Sequence, residues 1–340
     1  MSKLITQEHN TTKTNYQSYI ANFFIFPNSS QQQKMASLTT KPSTIVCPGH
    51  SRPVVGVHYI KTQQNQSFLL SAALDSKPML RSGLTGDWIG TFEGHKGAVW
   101  SAKMNRDATK AATGSGDFTA KIWDAIDGSE LLSLRHKHIV KSVEFSKDSS
   151  QLLTGARDKQ LRLFDLNDTT SDAKPLICLH PKGVTNGTWT NDANLVVSGC
   201  DDGILRTWDL RTLEIIQEFN LNESISDIEM SQDGELLAIA AGKQVVFLNT
   251  TNPASFEIIK KHECKLNVES ISVSPNQKTF LTAGTDLWVH EYNFETFEEV
   301  DVKKGHHGPV HCVKYSPDGD SYASGADDAT LRIWSKNVGK

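Results

Sequence analysis

The 340-residue chain carries 35 Lys and Arg against 39 Asp and Glu, a net charge of −4 at pH 7, with 38% hydrophobic residues. This balance excludes a strongly basic face that neutralises a phosphate backbone, so nucleic acid is expected to be met only indirectly. The apolar content is that of a soluble chain with a large core, and no apolar run is long enough to span a membrane as a helix.

Residues 1–42 are rich in Asn, Gln, Ser, Thr and Lys, as in NTTKTN and SSQQQK, and are expected to form a disordered tail. Their one apolar patch, residues 19–26, is interrupted by Asn22 and followed by Pro27. It lacks the charged start and small-residue cleavage site of a secretory signal, so an intracellular protein is expected.

Residues 44–47 then form a short β-type run ahead of Gly49-His50. Further runs follow at 54–60, 67–72, 78–81 and 88–92, separated by turn residues. The stretch 94–124, GHKGAVWSAKMNRDATKAATGSGDFTAKIWD, sets the pattern for everything after it. It opens with Gly-His, closes with Trp-Asp, and contains runs at 99–104, 110–113 and 119–123. Such a unit cannot bury its own apolar faces, so it must recur.

It does recur. His95 to Asp117 is 22 residues and Asp117 to Trp123 is six; His180, Asp202 and Trp208, and His306, Asp328 and Trp334, keep both intervals. His136, Asp158 and Phe164 keep them with Phe in place of Trp. Looser copies begin at His50, with Asp75 and with Arg81 in the Trp place, and at His262, with Asp286 and Tyr292. A seventh is implied by spacing, with Asn220-Leu221 where Gly-His is expected. Repeats of 41 to 45 residues predict four-stranded propeller blades. Because each Gly-His follows an outer strand, the last repeat lacks one, and residues 44–47 are expected to supply it and close the ring.

These landmarks resemble the WD-repeat family over residues 43 to about 336. The resemblance implies an all-β, seven-bladed propeller over residues 43–340, preceded by the disordered N-terminal extension. It also implies that a His, a Ser or Thr, an Asp and a Trp of each blade form a buried hydrogen-bonded chain. The matching sets are His95, Thr113, Asp117, Trp123; His180, Ser198, Asp202, Trp208; and His306, Ser324, Asp328, Trp334. Blade one departs from the pattern at Arg81 and blade five lacks it, so weaker support is expected in both.

His95, Thr113 and Asp117 are also the residue types of a hydrolase triad. The same trio recurs in several blades, whereas an enzyme needs one activated nucleophile in one cleft, so no catalytic residue and no cofactor are expected. His306, His307 and His311 cluster, but His306 belongs to the repeat and the others follow a turn and a strand, so no metal is expected. Five cysteines without a C-x-x-C pair point to free thiols.

What remains is surface for protein binding. Strand alternation brings the third and fifth residues after each His toward one mouth of the channel. The residue just before each turn Asp reaches the same rim. The candidate partner-binding rim is Trp100, Lys141, Arg157, Asp201, His311 and Asp327, an aromatic beside cations as in interface hot spots. The stretches DSKPMLRSGLTGDWIGTF from Asp75, HKHIVKSVEFS from His136 and KGHHGPVHCVKYSPDG from Lys304 resemble one branch of the family. That branch implies a cytoplasmic and nuclear scaffold, monomeric within a larger complex. Its expected partners are the survival-of-motor-neuron (SMN) complex, which loads Sm proteins onto spliceosomal RNAs for mRNA splicing, and receptors of TGF-β signalling, which it restrains. A translation-initiation branch of the same fold is the alternative expectation.

Overall fold

The computed structural model describes residues 44–167, 175–252 and 255–336, and every regular element among them is a β-strand. The tail expected over residues 1–42 lies outside the described residues. Seven antiparallel four-stranded sheets are formed. Their inner strands, from Val54–Lys61 in blade one to Val310–Tyr315 in blade seven, touch in a closed cycle in which the last meets the first.

The burial of each strand explains its composition. Second strands such as Lys110–Ser115 (KAATGS) and Leu236–Ala241 (LLAIAA) lie between two neighbouring blades. Both faces are covered, so they read as runs of small or apolar residues rather than alternating ones. Outer strands such as Glu214–Asn220 (EIIQEFN) are largely exposed. The core is accordingly a set of wedges between blades: Phe68, Leu70 and Leu80 of blade one pack with Met104, Ala111 and Trp123 of blade two. Gly49 (φ 134°) and Gly94 (φ 155°) open their landmarks in a backbone region that L side chains rarely adopt, and a Cβ on Gly94 would come within 3.1 Å of the Trp123 ring.

Thr44–Cys47 is the outer strand of the last sheet, in register Thr44↔Trp334 through Cys47↔Leu331. Arg81 has a different role from the one its sequence suggested. It is 3% exposed, and its guanidinium donates to the Pro48 carbonyl at 2.5 Å and the Gly86 carbonyl at 3.3 Å. Blade one thus uses an arginine in the Trp place to hold the chain where it leaves the closing strand.

The landmark of blade six also moves. In blades one to four and seven the inner strand starts four residues after the His, as His95 precedes Val99. The inner strand of blade six starts at Val268, which puts Cys264 at that place. The Cys264 amide donates to the Lys243 carbonyl, just as the His136 amide donates to Phe118 and the His180 amide to Lys159. His262 instead lies within the outer strand of blade five, Glu257–Glu263, stacked on Phe297 at 4.9 Å.

Candidate functional site

In blade two the polar chain is complete. Trp123 Nε1 donates to Thr113 Oγ1 at 2.8 Å, Thr113 Oγ1 lies 2.6 Å from His95 Nε2, and His95 Nδ1 lies 2.8 Å from Asp117 Oδ2. Donor chemistry sets the direction of each proton: an indole N–H can only donate and a carboxylate can only accept, so Nδ1–H donates to Asp117 and the Thr113 hydroxyl, whose oxygen accepts from Trp123, donates to Nε2. Asp117 also accepts from the Lys96 amide at 2.9 Å and the Thr119 hydroxyl at 2.6 Å. Burial opposes its charge, but these bonds hold its carboxyl well below the usual carboxylate range. Blade seven repeats the set through Trp334, Ser324, His306 and Asp328, with Thr330 in the place of Thr119. Blade one retains His50 between Ser71 at 2.8 Å and Asp75 at 2.9 Å, so its network is intact apart from the Trp.

Blade four does not complete the chain. Trp208, Ser198 and His180 Nε2 connect as expected, but His180 Nδ1 lies 3.3 Å from the Cys178 carbonyl, not on Asp202. Asp202 pairs with Arg206 at 2.8 Å instead. Blade three matches it, with His136 on the Leu134 carbonyl and Asp158 on Arg162. Burial, reinforced by the arginines, pushes His136 and His180 down to about 4. Blade five has Gln244, which donates to the Leu221 carbonyl at 2.6 Å. In blade six Asp286 turns to His290, beside a second cavity of about 420 Å³ bordered by Cys264, Trp288 and Tyr292.

The inner strands line a central cavity of about 520 Å³. Trp100, Lys141, Arg157, Asp201 and His311 all border it, and Asp327 joins them through His311 at 3.2 Å. Trp100, Lys141 and His311, each the fifth residue after a landmark His, line the mouth as expected. The third residues do not, with Ser224 the exception. A bulge after the first residue of each inner strand breaks the alternation. Their carbonyls bond the residue before the turn instead, Ala98 to the Gly116 amide and Ile139 to the Arg157 amide. Within the mouth the Lys141 ammonium sits 3.2 Å from the centroid of the Trp100 ring, and Arg157 lies 4.0 Å from Asp201. Burial, with Arg157 adding repulsion, lowers Lys141 to about 8.

Deeper in the channel the sequence reading missed a charged layer. Lys103 pairs with Glu144 at 2.7 Å, and Lys314 of blade seven crosses to Glu229 of blade five at 3.1 Å. Asp227 accepts from the Ile271 amide, the Ser270 hydroxyl and Asn186, and Glu229 accepts from the Val273 amide. Each side chain ties its own inner strand to another blade, so these charges hold the ring together. The available signal was a charged residue four positions after the start of the inner strand, shared by Lys103, Glu144, Glu229 and Lys314.

Comparison with known proteins adds the last observations. The family description "WD domain, G-beta repeat" matches residues 86–124, 128–165, 174–209 and 297–335. The serine-threonine kinase receptor-associated protein of Mus musculus is 45% identical over 303 residues, 89% of this chain and 85% of its own length. That of Dictyostelium discoideum is 43% identical over 291 residues, 85% of this chain and 98% of its own length. Eukaryotic translation initiation factor 3 subunit I of Drosophila sechellia is 28% identical over 316 residues. The landmark spacing, the seven four-stranded blades and this identity through the whole ring have one reading: the chain belongs to the serine-threonine kinase receptor-associated family of WD-repeat propellers.

Proposed function

We propose that this propeller is a non-catalytic protein-interaction scaffold whose working surface is the channel mouth on blades two to four. The observation that carries it is the gathering of Trp100, Lys141 and Arg157 around one cavity, open to a partner and separate from the buried networks. The triad-like sets do not compete as a reading. Thr113 is fully buried and its hydroxyl is shared between Trp123 and His95, which leaves it no role as a nucleophile.

In cells the scaffold associates with serine-threonine kinase receptors and restrains TGF-β signalling, and it serves the SMN complex in spliceosomal particle assembly, in cytoplasm and nucleus. Support for the first role is the 45% identity to proteins named for receptor association; support for the second is the resemblance of the stretches from Asp75, His136 and Lys304. A translation-initiation scaffold is the second reading, favoured by 28% identity to the initiation-factor subunit over 95% of its length. Affinity capture from the native host with mass spectrometry separates them. Sm-assembly proteins or receptor kinases are expected, and recovery of initiation-factor subunits in their place would overturn the assignment. For the surface, Trp100→Ala with Arg157→Ala should leave the melting curve unchanged and weaken partner capture tenfold or more, roughly 1.4 kcal/mol. A folded double variant that still captures its partner would move the site to another face.

A further inference from the structure

The mouth is not evenly furnished. At the same position of three successive inner strands stand Trp100, Lys141 and Thr185, with Arg157 entering from the turn of blade three. Their polar groups are sparsely partnered, and each can donate a hydrogen bond. The Lys141 ammonium touches the Trp100 face, and no acceptor among the described residues lies within hydrogen-bonding distance of it. Thr185 Oγ1 is buried without a partner. Arg157 has only a loose approach to Asp201, at 4.0 Å. The half-buried Lys141 ammonium and the buried Thr185 hydroxyl are polar groups that burial makes costly to strand, and the exposed Arg157 guanidinium, held only loosely by Asp201, stands beside them. The chain elsewhere satisfies its buried charges, as Lys314 does with Glu229 and Arg206 with Asp202.

The opposite wall carries the other sign. Glu269 of blade six borders the cavity, and Asp327 of blade seven holds His311. Asp201 stands on the donor wall beside Arg157, so that wall carries two cations against one carboxylate, and an anion entering the mouth is repelled from blades six and seven and drawn toward Lys141.

We propose that this wall receives a carboxylate carried by an acidic segment of the partner protein, with Lys141, Arg157 and Thr185 as its donors and Trp100 as the apolar floor. The proposal rests on the mouth being the partner-binding surface, and it names the chemistry that surface selects. A carboxylate on Lys141 and Arg157 makes two charge-assisted hydrogen bonds, and displacing little water from a half-buried site leaves them strong. Burial has lowered this lysine despite the opposing pull of Asp201 and Glu269, and a bound anion adds to that pull.

The test uses the full chain and fluorescence anisotropy with a labelled hexaglutamate peptide, beside hexaglutamine and a hexauridylate. The expected result is saturable, salt-sensitive binding of hexaglutamate, weaker binding of the other two, and loss of tenfold or more in Lys141→Met. Methionine keeps the contact with Trp100 and removes only the charge, and Lys141→Arg should bind as the parent does. Undiminished hexaglutamate binding by a folded Lys141→Met would overturn the proposal. So would equal affinity for hexauridylate, which would make the wall a general anion face. If hexaglutamate is ignored while Trp100→Ala with Arg157→Ala still abolishes capture of the native partner, the mouth stands as the binding surface and only its acidic ligand falls. If both fail, the mouth itself is the wrong surface.

Discussion

Blades two and four carry a His, a hydroxyl residue, an Asp and a Trp at the same spacing, yet their aspartates have different partners. Asp117 holds His95, whereas Asp202 has turned away from His180 to Arg206. Two neighbours account for the difference. Thr119, two residues after Asp117, donates its hydroxyl to one carboxylate oxygen and keeps the other aimed at the histidine. Ile204 stands there in blade four and offers only its amide. Lys96, after His95, supplies a backbone N–H to Asp117, but the residue after His180 is Pro181, which has none. Blade seven sharpens the point, because Arg332 occupies the place of Arg206 and still does not take Asp328, which Thr330 holds at 2.7 Å. Where an arginine stands four residues after the aspartate, the hydroxyl two residues on decides which partner the aspartate takes; blade one, with Lys77 and Met79 at those places, has no such rival and closes without a hydroxyl.

The comparison presumes a ring in which every blade has four strands, so its largest disruption is to remove one. Deleting residues 1–47 should open the last blade and lower the melting temperature by more than about 10 °C or cause aggregation. Deleting residues 1–43 should leave it within about 2 °C, and equal melting of both truncations would contradict the observed pairing of Thr44–Cys47 with Leu331–Ser335. Arg81→Ala should cost about 3 kcal/mol, since the Pro48 and Gly86 carbonyls lose their donor.

The two aspartates can be broken directly. Asp117→Ala should cost about 3 kcal/mol, because His95, Thr119 and the Lys96 amide all lose an acceptor. Asp202→Ala should cost about half as much, since Arg206 keeps Glu218 at 2.8 Å and His180 keeps the Cys178 carbonyl. Urea unfolding of the two variants gives the ratio, and equal costs would mean that the partner exchange carries no energy.

Acid provides a third test. His180 is held at about 4, below the 6.5 of an unfolded histidine, so below pH 6.5 the unfolded chain takes up a proton that the folded one declines. The stability it contributes is complete above pH 6.5 and is lost as the pH falls toward 4, by up to about 3 kcal/mol. His180→Gln should therefore flatten unfolding free energy against pH in that window. An unchanged slope would show that His180 is not held neutral by burial.

The smallest effect is the most specific. Thr330→Val in blade seven should free Asp328 for Arg332 at a cost of about 1 kcal/mol and move the His306 ring resonances toward those of His180. Unmoved His306 resonances would remove the hydroxyl from the explanation.

Much of this molecule was legible before any coordinates. The intervals of 22 and six residues record where a chain must turn to return along a strand, and that is a local demand. The rim of Trp100, Lys141 and Arg157 followed from the same phase and converges on one cavity. Cys264 was hidden because neither a Gly nor a His marks it, although Asp286 lies 22 residues on and Val268 four. Arg81 read as a gap in blade one because its acceptors, the carbonyls of Pro48 and Gly86, are main-chain groups with no sequence signature.

The sequence by itself determined the blade count, the closing strand and the fifth-residue half of the rim, while the bulge that turns the third residues away was not legible in it. These depend on the spacing of turns and on alternation along a strand, both of which act over a few residues. Only the tertiary structure decided which carboxylate meets which cation. Lys314 and Glu229 are 85 residues apart in sequence and two blades apart in the ring, and they meet because the ring is closed. Asp202 chose Arg206 through a competition of bonds whose outcome depends on ångström distances and burial. Pairing of that kind is a property of the assembled interior, where a stranded charge is costly and any donor within reach will be used.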